Sequence, residues 1–306
     1  MAGYTSTRIN AACLLTCFGF RWWHLLIFLP VLITNCDAPG QNDQVFYLNP
    51  ILNSPVNYSV KQTSSEWFKE NRTGSDSTRF KMIFVEKHDS ILSCKLFLNY
   101  LGTQFPNGRR ISTNEPTGKL PSGSTDFIAL TAFLQKQLIA DSFWVIMQTN
   151  GTVLRVDGFD SIVSRISMRF DIDRRTIWGM LHERAGNNAI RDMLTQLFFY
   201  LPAKPVKEND SWVKNIMVTL KAPVKYSNLV QVIKIDKDSI FLKVQTAVTA
   251  KTGEGGTIYE EGKRTADISV SKTTGLPFLW KSKEQTIYKS DHLQIKKQIV
   301  IEGRRI

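Results

Sequence analysis

Apolar and polar residues alternate along several stretches of the chain, and this period of two restricts the fold more than any other feature. The longest one-sided sets are Leu92, Cys94, Leu96 and Leu98 in the first third and Ile240, Leu242, Val244, Thr246 and Val248 in the last third. Side chains two residues apart point to the same face of a β-strand. Strands with one apolar face predict an antiparallel sheet that is covered on that face only.

Turn signals separate these strands. Phe80–Val85 leads through five polar residues into Ile91–Leu101, which predicts a hairpin. Asn150-Gly151 favours a tight type I′ turn between the apolar runs Phe143–Thr149 and Thr152–Val156. The sequence therefore predicts strands that follow one another through short connections.

The middle of the chain, about residues 124–202, has a helical period instead. Helices are predicted over Asp126–Ile139, from Asp160, from near Asp173, and up to a stop at Pro202. The apolar stripe of the first helix consists of Phe127, Leu130, Phe133, Leu134 and Leu138, and that of the last consists of Ile190, Met193, Leu194, Leu197, Phe198 and Leu201. Stripes of this kind are typical of helices that cover a core. The segment before them, Gly102–Gly123, is rich in turn-forming residues and is predicted to be a loop.

These patterns predict an α+β fold, in which a curved, half-barrel-like antiparallel sheet is covered on one face by amphipathic helices. We expect a single β-rich domain over residues 45–306, with the helices inserted at about 124–202. Apolar residues make up 42% of the chain, enough for a large core.

The first 36 residues are predicted to be a signal or lipoprotein leader. Arg21 precedes Trp22–Thr34, an apolar run that is shorter than the roughly 20 residues needed to cross a bilayer. A longer span that included the preceding apolar residues would bury Arg21 in the membrane, at a cost of several kcal/mol. The run ends at Leu32-Ile33-Thr34-Asn35-Cys36, which resembles a bacterial lipobox and implies lipidation of Cys36. Residues 37–44 are expected to form a tether. An ordinary leader and a cytosolic protein remain open alternatives.

The net charge of +12 is the other compositional feature that bears on partners. Arg8 and Arg21 are the charged residues among residues 1–35, so the rest carries 37 − 27 = +10. A basic surface attracts nucleic acids, anionic membranes or acidic polymers. Here Lys and Arg are scattered, and no nucleic-acid-binding motif occurs, so no nucleic-acid partner is expected. The charge either keeps the protein soluble or contacts the envelope.

Four short motifs carry a family resemblance. In chain order they are Asn150–Gly158, Tyr200–Val206, Asn209–Trp212 and Thr273–Leu276. Over roughly Val45–Leu293 the sequence resembles an uncharacterised, Bacteroidota-type family of bacterial envelope lipoproteins, a domain of unknown function. Members often have Gly where this chain has Asn209. The chain is also similar to lipoprotein-carrier half-barrel proteins, a resemblance that implies an apolar cavity between sheet and helices.

The predicted function is that of a non-catalytic cell-envelope lipoprotein. We expect an anchor in the membrane, a position on the periplasmic or outer-membrane face, and an apolar ligand or a partner protein bound between sheet and helices. The candidate ligand-binding residues are Phe127, Leu130, Phe133, Leu134, Met193, Leu197 and Phe198. The alternative is a structural or assembly component that contacts the envelope through its basic surface.

No enzyme motif, cofactor or metal site is predicted. Nucleophile-elbow, zincin and phosphate-loop patterns do not occur in the sequence, and His182 has no second histidine at helical spacing. Asp157 and Asp160 keep a hydrolase open as a third class, although a turn and a helix cap already explain them. Glu260, Glu261, Lys263 and Arg264 are expected to form a charged strand surface.

Overall fold

The computed structural model describes residues 46–68, 70–114, 127–139, 141–218, 223–252, 258–290 and 293–306. Within them, one antiparallel sheet contains twelve strands. The strands are β1 Pro55–Phe68, β2 Glu70–His88, β3 Ile91–Gln104, β4 Arg110–Ser112, β5 Ser142–Gln148, β6 Val153–Asp157, β7 Ser211–Val218, β8 Val224–Ile235, β9 Ser239–Thr252, β10 Ile258–Ser271, β11 Pro277–Ser290 and β12 Leu293–Arg305. The helices are α1 Phe127–Leu138, α2 Phe159–Phe170, α3 Arg174–Ala185 and α4 Asn187–Phe198.

Most neighbours in the sheet are also consecutive in the chain, as in hairpins, but β1 with β12 and β3 with β5 are not. The strand order is β6-β5-β3-β2-β1-β12-β11-β10-β9-β8-β7, with the short β4 beside β3. The first and last strands of the chain therefore pair at the centre of the sheet, and the sheet stays open at β6 and β7. All four helices come between these two strands in the chain. The predicted α+β fold with a curved antiparallel sheet is confirmed.

Alternation sets which face of the sheet is buried. Leu92, Leu96 and Leu98 of β3 are at most 1% exposed, and β9 has the same pattern at Ile240, Leu242 and Val244. We call the face that carries these residues the inner face. The helices pack on it, because their buried residues belong to the same main hydrophobic core as those of the strands.

Polar contacts fix the helix layer to the sheet. Arg184 of α3 donates from Nη2 to Asp76 Oδ1 at 2.6 Å and to the carbonyl oxygen of Gly102 at 3.2 Å, and it also bonds the Thr103 hydroxyl. Burial lowers the pKa of Arg184, and the carboxylate of Asp76 opposes that shift. The helix α3 begins near Asp173 as predicted, and Asp173 caps it by accepting a hydrogen bond from the amide of Thr176.

Three local predictions are wrong. Gly102–Gln104 continues β3, and Arg110–Ser112 forms β4, so Gly102–Gly123 is not loop throughout. Gly158, not Asp160, occupies the N-cap of α2. The Asn150-Gly151 turn is not type I′, because only Gly151 has a positive φ, +83°. Its amide donates to the carbonyl oxygen of Gln148, and the amide of Gln148 donates to the carbonyl oxygen of Thr152, which leaves a three-residue loop between the strands.

Cys94 behaves as a small apolar core residue. It lies on β3 with no exposed surface. Burial raises the pKa of its thiol to about 12. The thiolate is the reactive form of cysteine, so Cys94 is inert in the folded protein.

The predicted leader, the tether at 37–44 and Cys36 lie outside the described residues. Asn42–Ile306 forms a compact unit. None of the helices within the described residues combines the length and the apolar character that crossing a membrane requires.

Candidate functional site on the inner face

The helix residues predicted to bind an apolar ligand are placed in or beside the core, with one exception. The six that pack in or against the main core are Leu130, Phe133, Leu134, Met193, Leu197 and Phe198. Phe127, at the start of α1, is 65% exposed. Leu197 also borders a void of about 10 Å³ beside Tyr58 and Trp280, which is about the space of one water molecule. These side chains close the helix layer onto the sheet, and a ligand role for them stays a prediction.

A row of polar side chains crosses the inner face from β7 to β11. Its members are direct cross-strand neighbours in the order Lys214, Asn228, Thr246, Arg264 and Glu284. We call these five residues the polar belt. The next inner-face row contains Val230, Val244 and Ala266, which belong to the main core. The belt therefore lies along one border of that core.

A buried ion pair forms the centre of the belt. Arg264 and Glu284 each have a side chain that is 2% exposed, and Glu284 Oε2 lies 2.6 Å from Arg264 Nη2 and 2.8 Å from Nε. Nη2 also donates to Gln196 Oε1 of α4 at 3.1 Å. The guanidinium carbon lies 4.5 Å from the centre of the Tyr226 ring. The two charges thus compensate each other and connect the sheet to the helix layer.

The rest of the belt is a hydrogen-bond chain that reaches the edge of the sheet. Thr246 Oγ1 donates to Asn228 Oδ1 at 2.8 Å, and Asn228 Nδ2 donates to the carbonyl oxygen of Lys214 at 3.0 Å. Lys214 Nζ donates at 3.4 Å to the carbonyl oxygen of Asn150, in the turn between β5 and β6. Burial lowers the pKa of Lys214. The contact also shows that β7 and the β5–β6 hairpin, at opposite ends of the strand order, approach each other.

Several buried polar atoms of Arg264 and of β11 have no hydrogen-bond partner within the described part of the chain. They are Arg264 Nη1, Trp280 Nε1, Ser282 Oγ and Thr286 Oγ1. The last three residues flank Glu284 at alternate positions of β11, so all four atoms belong to the inner face. Buried polar groups are normally paired with protein, water or ligand. Since arginine and tryptophan nitrogens only donate, this region favours a group that accepts hydrogen bonds.

A second apolar cluster lies on the other side of the belt. Val218, Tyr226 and Val248 are buried together, with Ile216 and Val224 packed against them. We call these five residues the rim cluster. Ile216, Tyr226 and Val248 are each two residues beyond a belt member on β7, β8 and β9. All five residues come from strands, and Ile216 also packs against the main core, which contains residues of all four helices.

The two carboxylates considered for acid–base chemistry face different cavities. Asp157 lines a cavity of about 420 Å³ between the β5–β6 hairpin and α2, and its Oδ2 lies 2.5 Å from Arg155 Nε. Asp160 lines a cavity of about 230 Å³ with Trp178. The histidine next to a glutamate, His182, stacks on Trp178 with ring centres 3.9 Å apart. Among the described residues, no three His, Cys, Asp or Glu side chains converge as metal ligands.

The motifs that carry the family resemblance meet near the C-terminal end of α4. A Cβ atom on Gly151 would lie 2.5 Å from the carbonyl oxygen of Phe198. Tyr200 donates from its hydroxyl to the carbonyl oxygen of Gly275 at 2.7 Å, and Lys214 follows the Asn209–Trp212 motif and contacts Asn150. These motifs therefore hold turns against α4, which is a structural role.

Fold and site together define an α+β protein with an open, curved antiparallel sheet and an inner face that is polar along one row. The chain belongs to the Family of unknown function (DUF6263), whose model matches residues 114–277. This range runs from the segment before α1 to the first residue of β11. No curated protein matches the chain.

Similarities to solved structures are weak. A lipovitellin chain, solved in a study of its lipid–protein interactions, is 10% identical with a TM-score of 0.48, over 84% of this chain and 25% of that one. This chain thus spans about a quarter of the lipovitellin chain. OmpF of Salmonella typhi in complex with daunomycin is 8% identical, with a TM-score of 0.25 over 83% and 98% of the two chains. The COG4313 outer membrane channel of Pseudomonas putida F1 is 7% identical, with a TM-score of 0.22 over 85% and 98%. These similarities are too weak to assign a function.

Proposed function

We propose that the protein is a non-catalytic binding protein of the cell envelope that holds an apolar ligand against the rim cluster, beside the polar belt. One observation carries the proposal: the inner face bears a second apolar cluster whose members, among the described residues, all come from strands. A sheet that served only to bury the four helices would not need a further apolar cluster beyond a polar row. Val218 and Val248 are each 1% exposed, so the ligand would have to open the cluster to reach them, and each CH₂ group that it buries there would contribute about 0.8 kcal/mol.

The polar belt indicates the chemistry of the other end of the ligand. Arg264 Nη1 is a buried donor without a partner among the described residues, and Glu284 already neutralises Arg264. A second carboxylate at this place would be repelled by Glu284. We therefore propose a ligand with an apolar chain and an uncharged acceptor, such as an ester or amide carbonyl. The mutual compensation of the two charges also supports a binding role over acid–base catalysis.

Export and anchoring through Cys36 are the second part of the proposal, and labelling with a clickable fatty acid tests them. We expect label on the full-length protein in its host cells and no label on the Cys36→Ser variant, because a lipobox places the acyl chains on that cysteine. An unlabelled wild-type protein, or a label that persists in the variant, would contradict the anchor.

Ligand binding is tested with the unit Asn42–Ile306, which contains every described helix and strand. N-phenyl-1-naphthylamine, an apolar fluorescent probe, is expected to bind, and lipid is expected to co-purify and to appear in mass spectra. Val248→Glu places a charge in the rim cluster and is expected to weaken probe binding at least tenfold, or about 1.4 kcal/mol.

The adjacent residue provides the matched control. Thr249 is exposed and points to the outer face, so Thr249→Glu is expected to leave probe affinity unchanged, with both variants checked for folding by circular dichroism. Equal effects of the two variants, or an unmodified unit that binds neither probe nor lipid, would refute the ligand site. Binding to anionic vesicles that disappears at high salt, without lipid uptake, would favour the assembly-component alternative.

A further inference from the structure

The two edge strands of the sheet differ in how they are protected against pairing with another chain. An edge strand presents unpaired N–H and C=O groups, and proteins usually shorten it, charge it or bend it. β6 has all of these features: it contains five residues, its outer side carries the Arg155–Asp157 ion pair, and its pairing with β5 shifts register and leaves Leu154 of β6 without a direct partner. Arg191 Nη2 also donates to the carbonyl oxygen of Leu154.

β7 has none of these protections on its outer side. It contains eight residues, and its outward residues Val213, Asn215 and Met217 are uncharged. Val213 is 61% exposed and Met217 is 53% exposed. Leu229, the direct neighbour of Val213 on β8, is 42% exposed. The edge therefore carries an exposed apolar strip, which is typical of an interaction surface.

The hydrogen bonds between β7 and β8 show which backbone groups remain available. The carbonyl oxygen of Val232 on β8 accepts from the amide of Asn209 at 2.9 Å, and the amide of Val232 donates to the carbonyl oxygen of Asp210 at 2.9 Å. The N–H and C=O groups of successive residues in a strand point alternately to its two sides. Like Asp210, therefore, Trp212, Lys214 and Ile216 direct these groups to β8. The outward residues Val213, Asn215 and Met217 consequently direct theirs to the open edge.

We propose that β7 pairs with β7 of a second copy of this chain, in an antiparallel arrangement about a two-fold axis at Asn215. In this register Asn215 faces Asn215 of the second copy, and Val213 faces Met217 of the second copy. Each facing pair exchanges two backbone hydrogen bonds, since both partners direct their groups to the interface. The strand is thus complementary to itself, as a two-fold interface requires.

The side chains fit the same register. On the outer side, two apolar Val–Met pairs flank one pair of amides, and no like charges meet. On the inner side, the charged residue of β7, Lys214, bonds the carbonyl oxygen of Asn150 of its own chain. Pairing would join two open sheets and remove the unprotected edge from both. A shift of the register by one residue would place polar belt side chains on the outer face.

Cysteine cross-linking in the full-length chain tests the register. The background carries Cys13→Ser, Cys17→Ser and Cys36→Ser and retains the buried, inert Cys94. Under mild oxidation Asn215→Cys is expected to give a disulfide-linked dimer, because directly paired Cα atoms lie about 5.5 Å apart. Val213→Cys alone is expected to stay monomeric, since two Val213 positions would be four residues apart, roughly 13 Å. The double variant Val213→Cys, Met217→Cys is expected to cross-link again.

Sedimentation of chains that retain their native cysteines gives a second measurement. The wild type is expected to dimerise reversibly, and Asn215→Lys, which sets two lysines face to face, is expected to weaken dimerisation at least tenfold. Gln231→Lys, at an outward position one strand away, is expected to leave it unchanged. A wild type that stays monomeric at every concentration, cross-linking by Val213→Cys equal to that by Asn215→Cys, or equal effects of both lysines would overturn the proposal. None of these measurements depends on ligand binding.

Discussion

Replacing Arg264 with methionine is expected to lower the free energy of unfolding by about 3–5 kcal/mol, the usual loss when one member of a buried ion pair is removed. The reason is that Glu284, with a side chain only 2% exposed, would keep its charge in the interior without its partner at 2.6 Å. Gln196 of α4 would lose its bond as well. Chemical denaturation followed by circular dichroism measures the loss.

Two control variants separate this effect from the mere loss of an arginine: one removes both charges of the buried pair, and the other breaks an exposed ion pair. Arg264→Met combined with Glu284→Leu removes both charges, and such a replacement is expected to be neutral or stabilising by about 1–4 kcal/mol relative to the wild type. Arg155→Met breaks a pair with side chains 66% and 41% exposed, which is expected to cost below about 1 kcal/mol. If Arg264→Met were no more harmful than Arg155→Met, the belt would not depend on its ion pair.

The strands and helices could be predicted because local patterns set them. Apolar residues occupy every second position from Leu92 to Leu98 and recur at helical spacing from Ile190 to Phe198. Each pattern gives its element one apolar face, which predicts burial of that face against a core. Both predictions correspond to β3 and α4 in the structure. The strand order could not be read in this way, because it depends on pairing between distant segments such as β1 and β12.

The polar belt shows where residue type misleads. The charged run from Glu260 to Arg264 predicts a charged strand surface, yet Arg264 is 2% exposed, which is rare for arginine. One signal could have placed it: Ala266, Ile268 and Val270 occupy every second position of β10 and so share one face, and Arg264 is the next residue on that face. Its partner Glu284 could not be found from the sequence, because the register of β10 and β11 brings the two together across twenty residues.

The rim cluster and the Asn150-Gly151 turn were each predictable in part. Alternation places Val248 on the inner face, but its contact with Val218 and Tyr226 requires the pairing of β7, β8 and β9. The dipeptide marks the turn correctly. Its conformation is not type I′. The carbonyl oxygen of Phe198 lies against Gly151, and this tertiary contact also constrains the turn.

That contact leads to the second large effect. Gly151→Ala is expected to lower the free energy of unfolding by about 2–5 kcal/mol, because overpacking adds to left-handed backbone strain. Gly151 has a φ of +83°, and a Cβ atom there would lie 2.5 Å from a backbone oxygen of α4 and 2.9 Å from the Leu201 side chain. Since the obstacle includes backbone, the hairpin and the end of α4 would have to separate. Equilibrium denaturation of wild type and variant measures the loss.

Gly108 is the matched control because it has almost the same φ angle in open surroundings. Its φ is +82°, and a Cβ atom there would meet nothing within 4 Å. Gly108→Ala is therefore expected to cost only the backbone strain, about 1–2 kcal/mol. The difference between the two variants isolates the close approach of α4 to the β5–β6 turn. Equal losses at both positions would mean that this approach relaxes freely, and α4 would then not depend on Gly151 for its position over the inner face.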